Sequence, residues 1–136
     1  MAKSKLRLLL IDDDEVNNLL FVRMVKEHRF MVSCATSLNG KKALKKLDRI
    51  VQKGGYEFPD IIIVDLLMPI MDGFEFLTVY QEKYAADYPD TRVFMVSSSI
   101  DPRDKQKAKE FSCVTNFVSK PLTLDSFRLI LARTGV

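Results

Sequence analysis

Three aspartates, a serine and a lysine stand where this chain can do phosphoryl chemistry. Asp65 closes the apolar run Ile61-Ile62-Ile63-Val64, so a carboxylate sits at the end of a strand that reads as buried on both faces. Leu8-Leu9-Leu10-Ile11 ends in Asp12-Asp13-Asp14, Val93-Phe94-Met95-Val96 ends in Ser97-Ser98-Ser99, and Thr115-Asn116-Phe117-Val118-Ser119 leads to Lys120-Pro121. In an open parallel sheet ligands gather outside the carboxyl ends of the strands, so these ends are expected at one edge. Close pairs among Asp12, Asp13 and Asp65 repel by up to ~4 kcal/mol at an effective dielectric of about 20, and positive charge must offset that. A hard divalent cation suits the donors, and Mg²⁺ takes carboxylate and carbonyl oxygens with retained waters. Lys120 adds a second, mobile positive charge. Such a set can bind a phosphoryl group, whose transfer is catalysed chiefly by positioning and charge neutralisation. One carboxylate is then free to act as nucleophile, forming an aspartyl phosphate. Taken singly, each aspartate reads as a helix cap or turn residue, and Asp14 is assigned only that role.

The elements that must hold these groups follow from periodicity. Apolar runs suited to buried strands alternate five times with stretches of helical period, the pattern of a parallel sheet covered by helices. Strands are expected at residues 5–11, 30–35, 60–65, 92–97 and 115–118, and helices at 15–29, 37–53, 73–86, 102–112 and 123–133. Asp13 or Asp14 can cap the first helix, Pro102 suits a first helical turn, Gly54-Gly55 ends the second helix, and Thr123 can cap the last. On the second helix Ala43, Leu44, Leu47, Ile50 and Val51 form an apolar stripe, with Lys42, Lys45, Lys46, Arg49 and Lys53 outside it. That basic face suits an acidic partner, although a solvated surface is the ordinary reading of a charge run.

With 136 residues, 47% of them hydrophobic, the chain has the size of one domain with a proper core. No apolar run approaches the length of a membrane span, and Met1-Ala2-Lys3-Ser4-Lys5 passes into a strand pattern without the apolar stretch of a signal peptide. A cytoplasmic protein is expected. The net charge of +3 is too small to imply a nucleic-acid partner. Cys34 and Cys113 lie far apart without metal-ligand spacing and read as small, buried or half-buried thiols. His28, the single histidine, sits near the polar end of the first helix, where a basic residue is favourable, and away from the acids. A phosphoryl donor is therefore another protein or a small acyl phosphate.

Ile11-Asp12-Asp13-Asp14, Asp65-Leu66-Leu67-Met68-Pro69 with Met71-Asp72-Gly73, Ser97-Ser98 after an apolar strand, and Lys120-Pro121 together resemble the receiver domain of two-component response regulators. The likeness is to the single-domain, chemotaxis-regulator type. It runs from Leu6 to about residue 131, and the ordered set in these strand contexts is very specific. The resemblance implies an α/β fold, a doubly wound five-stranded parallel sheet of order 2-1-3-4-5 with helices on both faces, flavodoxin-like. It implies a receiver domain over residues 1–136, with a core at about 6–131 and no output domain.

Residue by residue, the resemblance makes Asp65 the phosphoacceptor. Asp13 and Asp65 would ligate Mg²⁺ together with the backbone carbonyl of Leu67, and Asp12 would act mainly through a water on the metal. Lys120 would pair with the phosphoryl oxygens and Ser97 would hydrogen-bond one of them. A switch is implied in which the Ser97 hydroxyl moves toward the phosphoryl group and Phe117 turns inward behind it. Phe117 lacks the hydroxyl of the tyrosine that many relatives carry, and it reads equally well as buried core. Leu67 and Ser99, two residues beyond the acceptor and the hydroxyl, flank the path of attacking water. Leu67 has no donor or acceptor with which to orient it, so a long-lived phosphorylated state is expected.

The implied function is to take a phosphoryl group from a histidine kinase or phosphotransfer protein. The chain would then signal to a protein partner through the surface of the fourth helix, fifth strand and fifth helix, or pass the group on in a phosphorelay. Neither nucleic acid nor membrane is an expected partner. A hydrolase with an aspartyl nucleophile would need a general acid two residues after it, where Leu67 stands. A scaffold that is never phosphorylated would have lost part of the acid, hydroxyl and lysine set, and none is lost. A dinucleotide site is disfavoured because Asp-Asp-Asp, not a glycine-rich turn, follows the first strand.

Overall fold

A computed structural model describes residues 5–134; the leader reading at Met1-Ala2-Lys3-Ser4 and the chain end at Val136 lie outside the described residues. Strands and helices alternate as β1 (Leu6–Ile11), α1 (Glu15–Glu27), β2 (Val32–Ser37), α2 (Gly40–Gln52), β3 (Ile61–Asp65), α3 (Gly73–Lys83), β4 (Arg92–Ser97), α4 (Pro102–Ala108), β5 (Val114–Ser119) and α5 (Leu124–Ala132). All neighbours in the sheet pair in parallel, in the order β2-β1-β3-β4-β5. This is the doubly wound arrangement that the resemblance implies.

Alternation along the strands divides the core into two layers. Leu8 and Leu10 of β1 point to the face where Phe21 and Val25 of α1 and Phe127 and Ile130 of α5 pack. Leu9 and Ile11 point to the other, against Ala43 and Leu47 of α2 and Phe76 and Leu77 of α3. β3 lies in the middle of the sheet and is buried at every position, which is why its sequence is continuously apolar up to Asp65. Each large side chain removed from water on these faces contributes roughly 1.5–3 kcal/mol. The registers Ile11↔Ser37, Ile11↔Val64 and Asp65↔Val96 align the strand ends, so the groups that follow them emerge together.

β2 departs from the expected elements at both ends: it begins at Val32 and runs through Ser37 instead of spanning residues 30–35. Arg29 takes a left-handed conformation, φ +54°, and the Phe30 amide donates back to the Val25 carbonyl, so residues 28–30 close α1 before the strand can start. Ser37 pairs with Ile11, and Asn39 caps α2 by accepting from the Lys42 amide, so that helix begins at Gly40 and not at residue 37. α3 and α4 end earlier than their periodicity suggests, α4 after seven residues, and turns carry the chain onward. Gly54 and Gly55, with φ of +109° and +78°, complete the stop after α2.

Candidate functional site

Each member of the site is delivered by a strand end. Asp65, the last residue of β3, is 6% exposed, and Asp12, just after β1, is 5% exposed. Asp13 is exposed, and carboxylate oxygens of Asp12, Asp13 and Asp65 all lie within 4.8 Å of one another. Lys120 reaches between the two buried acids, its Nζ 2.9 Å from Asp12 Oδ2 and 3.0 Å from Asp65 Oδ2. The lysine is held in register because its backbone amide donates to the Ser97 carbonyl at 2.9 Å, and the bond between Lys120 and Pro121 is cis.

Burial pushes the Asp65 carboxyl above its usual pKa, and the neighbouring Asp12 charge pushes the same way. The Lys120 hydrogen bond and charge, with the Leu67 amide, oppose this without cancelling it. For Lys120 burial is the strongest single influence and favours the neutral amine. The hydrogen bonds and charges of Asp12 and Asp65 together outweigh it and hold the ammonium above its usual pKa. Three carboxylates and one ammonium leave two formal negative charges on a set of oxygen donors, and Lys120 alone does not relieve Asp65. The residues thus fit a hard divalent cation.

Around this centre the expected residues are found in different states. Ser97 ends β4 with 1% exposure, and its Oγ accepts from the Ser99 amide at 3.0 Å. The Ser99 hydroxyl donates to Asp104 at 2.5 Å and accepts from the Asp101 amide, so it ties down the start of α4. Leu67 is 61% exposed on the loop after β3. Phe117 in β5 is half-buried, pairs with Met95 and packs on the α2 and α3 side of the core. Asp14 caps α1 by accepting from the Val16 and Asn17 amides. His28 lies exposed at the far end of that helix. Cys34 and Cys113 are half-buried free thiols.

Two further residues support the site, although the sequence assigns neither of them a role in it. Asn18, 4% exposed, donates from Nδ2 to the Asp12 carbonyl at 2.9 Å and so anchors the acidic turn. Its signal is a polar residue on the buried stripe that continues through Phe21 and Val25. Gly73 is the other. A Cβ there would meet the Asp65 carbonyl oxygen at 2.7 Å and Leu66 Cα at 2.8 Å, so only glycine lets α3 start against the strand end. Between them, Ile70 takes φ +70°, and the Met71 amide donates to the Pro69 carbonyl at 2.7 Å, a tight and strained turn for a β-branched residue.

Fold and site together place a cluster of carboxylates and one lysine at the strand ends of a doubly wound sheet. Residues 8–132 match the response regulator receiver domain, and the chain belongs to that family. It is 33% identical to a two-component response regulator of Oryza sativa subsp. japonica, over 79% of this chain and 71% of that protein. It is 26% identical to a hybrid signal transduction histidine kinase, G, of Dictyostelium discoideum, over 98% of this chain but only 4% of that protein's length. A solved two-component response regulator from Cytophaga hutchinsonii is 30% identical, superposes with a TM-score of 0.83, and is matched over 96% of this chain and 97% of its own. Among the described residues no helix is long and apolar enough to cross a membrane.

Proposed function

We propose that this chain accepts a phosphoryl group on Asp65 from the phosphohistidine of a kinase or phosphotransfer protein and thereby changes the surface it offers a partner. The observation that carries the reading is a single buried carboxylate at the end of the central strand, paired to a lysine and flanked by two more acids. A carboxylate oxygen of Asp65 attacks phosphorus in line with the leaving imidazole nitrogen, the N–P bond breaks, and the released imidazole takes up a proton. Lys120, already at the Asp65 oxygen, exchanges that contact for a phosphoryl oxygen. The Ser97 hydroxyl turns from the Ser99 amide to another. Mg²⁺, held by Asp13, Asp65 and the Leu67 carbonyl with Asp12 through a water, would supply the remaining neutralisation. With Leu67 where a general acid would be needed, the chain is a phosphoacceptor and not a turnover enzyme.

The rim of the site supports a protein donor. Val16, Leu19 and Leu20 on α1, Leu67 and Ile70 after β3, and Ile100 after β4 are all more than half exposed, an apolar collar at the one edge where Asp65 opens. Solvent-facing apolar side chains gathered at one edge mark a protein-contact surface. Read-out passes through α4, β5 and α5, where Phe117 lies half-buried beside the strand that ends in Ser97. The receiver core is residues 6–131, and its setting is the cytoplasm. Intact mass after incubation with acetyl phosphate and Mg²⁺ tests the reading. One phosphoryl group should appear on the wild type, and none with the metal chelated. Equal gain in both conditions defeats it.

A further inference from the structure

Six cations and one acid occupy residues 41–53, whereas the whole chain carries only +3, so the rest of the molecule is net negative. The lone acid, Asp48, is engaged on the α3 side, 3.0 Å from Lys83 and hydrogen-bonded by the Tyr84 hydroxyl. Spacings of three and four residues put Lys42, Lys45, Lys46 and Arg49 on one face of α2. With Thr36, Ser37 and Leu38 at the end of β2 they line a recess of about 410 Å³. None of these four cations has an ion pair among the described residues; Lys46 Nζ donates to the Thr36 carbonyl at 2.8 Å. Burial and the charge of Arg49 both disfavour the Lys46 ammonium, a state that an anion would relieve.

A second, independent observation comes from the strand side. Ser37 is 6% exposed, and its hydroxyl is buried without a hydrogen-bond partner among the described residues. Native proteins rarely leave such a group unpaired, and here it borders the recess that the four cations line. Unpaired cations and an idle hydroxyl together ask for oxygen acceptors carrying several negative charges. The recess has small-molecule dimensions.

We propose that this recess binds a ligand with two adjacent phosphoryl groups, an inorganic polyphosphate or a nucleoside di- or triphosphate. Arg49 offers a planar fork to one phosphoryl group, and Lys42, Lys45 and Lys46 offer point charges to both. The Ser37 hydroxyl, buried without a partner among the described residues at the border of the recess, supplies a further donor. The site stands beside the acidic centre without sharing its residues, because the Ser37 carbonyl accepts from the Asp12 amide at 3.0 Å.

The test is an amide chemical-shift titration of the full chain with inorganic pyrophosphate, repeated with ADP, in buffer free of divalent cations. Saturable shifts at Ser37, Leu38, Lys42 and Lys46 are expected in the wild type and equally in Asp65→Asn. Tighter binding of ADP would identify a nucleotide site, and equal binding a polyphosphate site. The paired substitution Lys45→Glu and Arg49→Glu lies on an exposed face and should weaken binding at least about ten-fold, with Ser37→Ala weakening it about three-fold. Shifts confined to Asp12, Asp65 and Lys120 overturn the proposal, as does no saturation by about 10 mM or unchanged affinity in the charge-reversed variant. A polyglutamate peptide or a short DNA duplex that binds more tightly than pyrophosphate at the same salt also overturns it.

Discussion

The two edges of one sheet are built on opposite terms. At the amino edge, Phe58, Tyr80, Tyr84 and Tyr88 form a ring cluster in which Phe58 and Tyr88 stack with centroids 3.7 Å apart. There the backbone is stitched by Asp60, whose Oδ2 accepts from the Arg7 amide, and by Thr91, whose hydroxyl donates to the Pro59 carbonyl. At the carboxyl edge, buried acids crowd a lysine, Ile70 holds a left-handed backbone, and Leu67, Ile70 and Ile100 face solvent. One edge contributes stability; the other holds charge and strain, as the proposed function requires.

The most severe way to break the contrast is Asp65→Asn, which should abolish phosphorylation by acetyl phosphate as read by intact mass. It should leave the melting temperature in metal-free buffer at or above that of the wild type, since burial and Asp12 disfavour the charge that is removed. A fall of many degrees would mean that the acid is structural. The opposite result is expected at the amino edge. Phe58→Ala, at a position 4% exposed, should cost roughly 3–5 kcal/mol in urea unfolding while the folded fraction still accepts a phosphoryl group. Loss of less than about 1 kcal/mol would remove the ring cluster as an anchor.

The thiols sharpen the comparison because they lie away from the acidic centre and answer to burial. Burial pushes Cys34 up to about 11 against the pull of Lys26 and Lys5, and pushes Cys113 up to about 11 as well. A pKa raised in the folded state favours the neutral thiol, so this contribution to stability is complete below 9.0 and is lost as pH rises through about 11. Alkylation by iodoacetamide at neutral pH should accordingly be about 100-fold slower in the folded chain than in urea. Equal rates would show that the thiols are not shielded. Smaller again, Leu67→Asn should hasten loss of the phosphoryl group several-fold after donor removal by giving water a hydrogen-bonding side chain, and an unchanged decay would free Leu67 of that role. The smallest effect should be at Ile70, where glycine removes the left-handed penalty but adds chain entropy. Ile70→Gly should shift unfolding by no more than about 1 kcal/mol, and a loss above about 2 kcal/mol would show that the side chain is needed.

Local pattern sufficed for the class of fold. The continuous apolar run ending in Asp65, the alternation that sends Leu8 and Leu9 to opposite faces, the caps at Asp14 and Thr123, and Pro102 in a first helical turn act within a few residues of themselves, so they are legible without a partner. The family of the chain was legible for the same reason, from an ordered set of strand-end residues. Pairing across the chain decided the rest. β2 reaches Ser37 because Ile11 supplies a strand neighbour there, overriding a helical reading of residues 37–39. Lys120 meets Asp12 and Asp65 across 108 and 55 residues, and no local signal records that contact. Which acid is buried, why Asn18 interrupts an apolar stripe, and why the Ser37 hydroxyl stands idle beside four cations all depend on neighbours supplied by distant strands and helices. The sequence by itself determined which groups stand at the strand ends; their distances, burial and charge balance belong to the packed sheet, because electrostatics and hydrogen bonding depend on the whole surrounding volume and not on the order of residues.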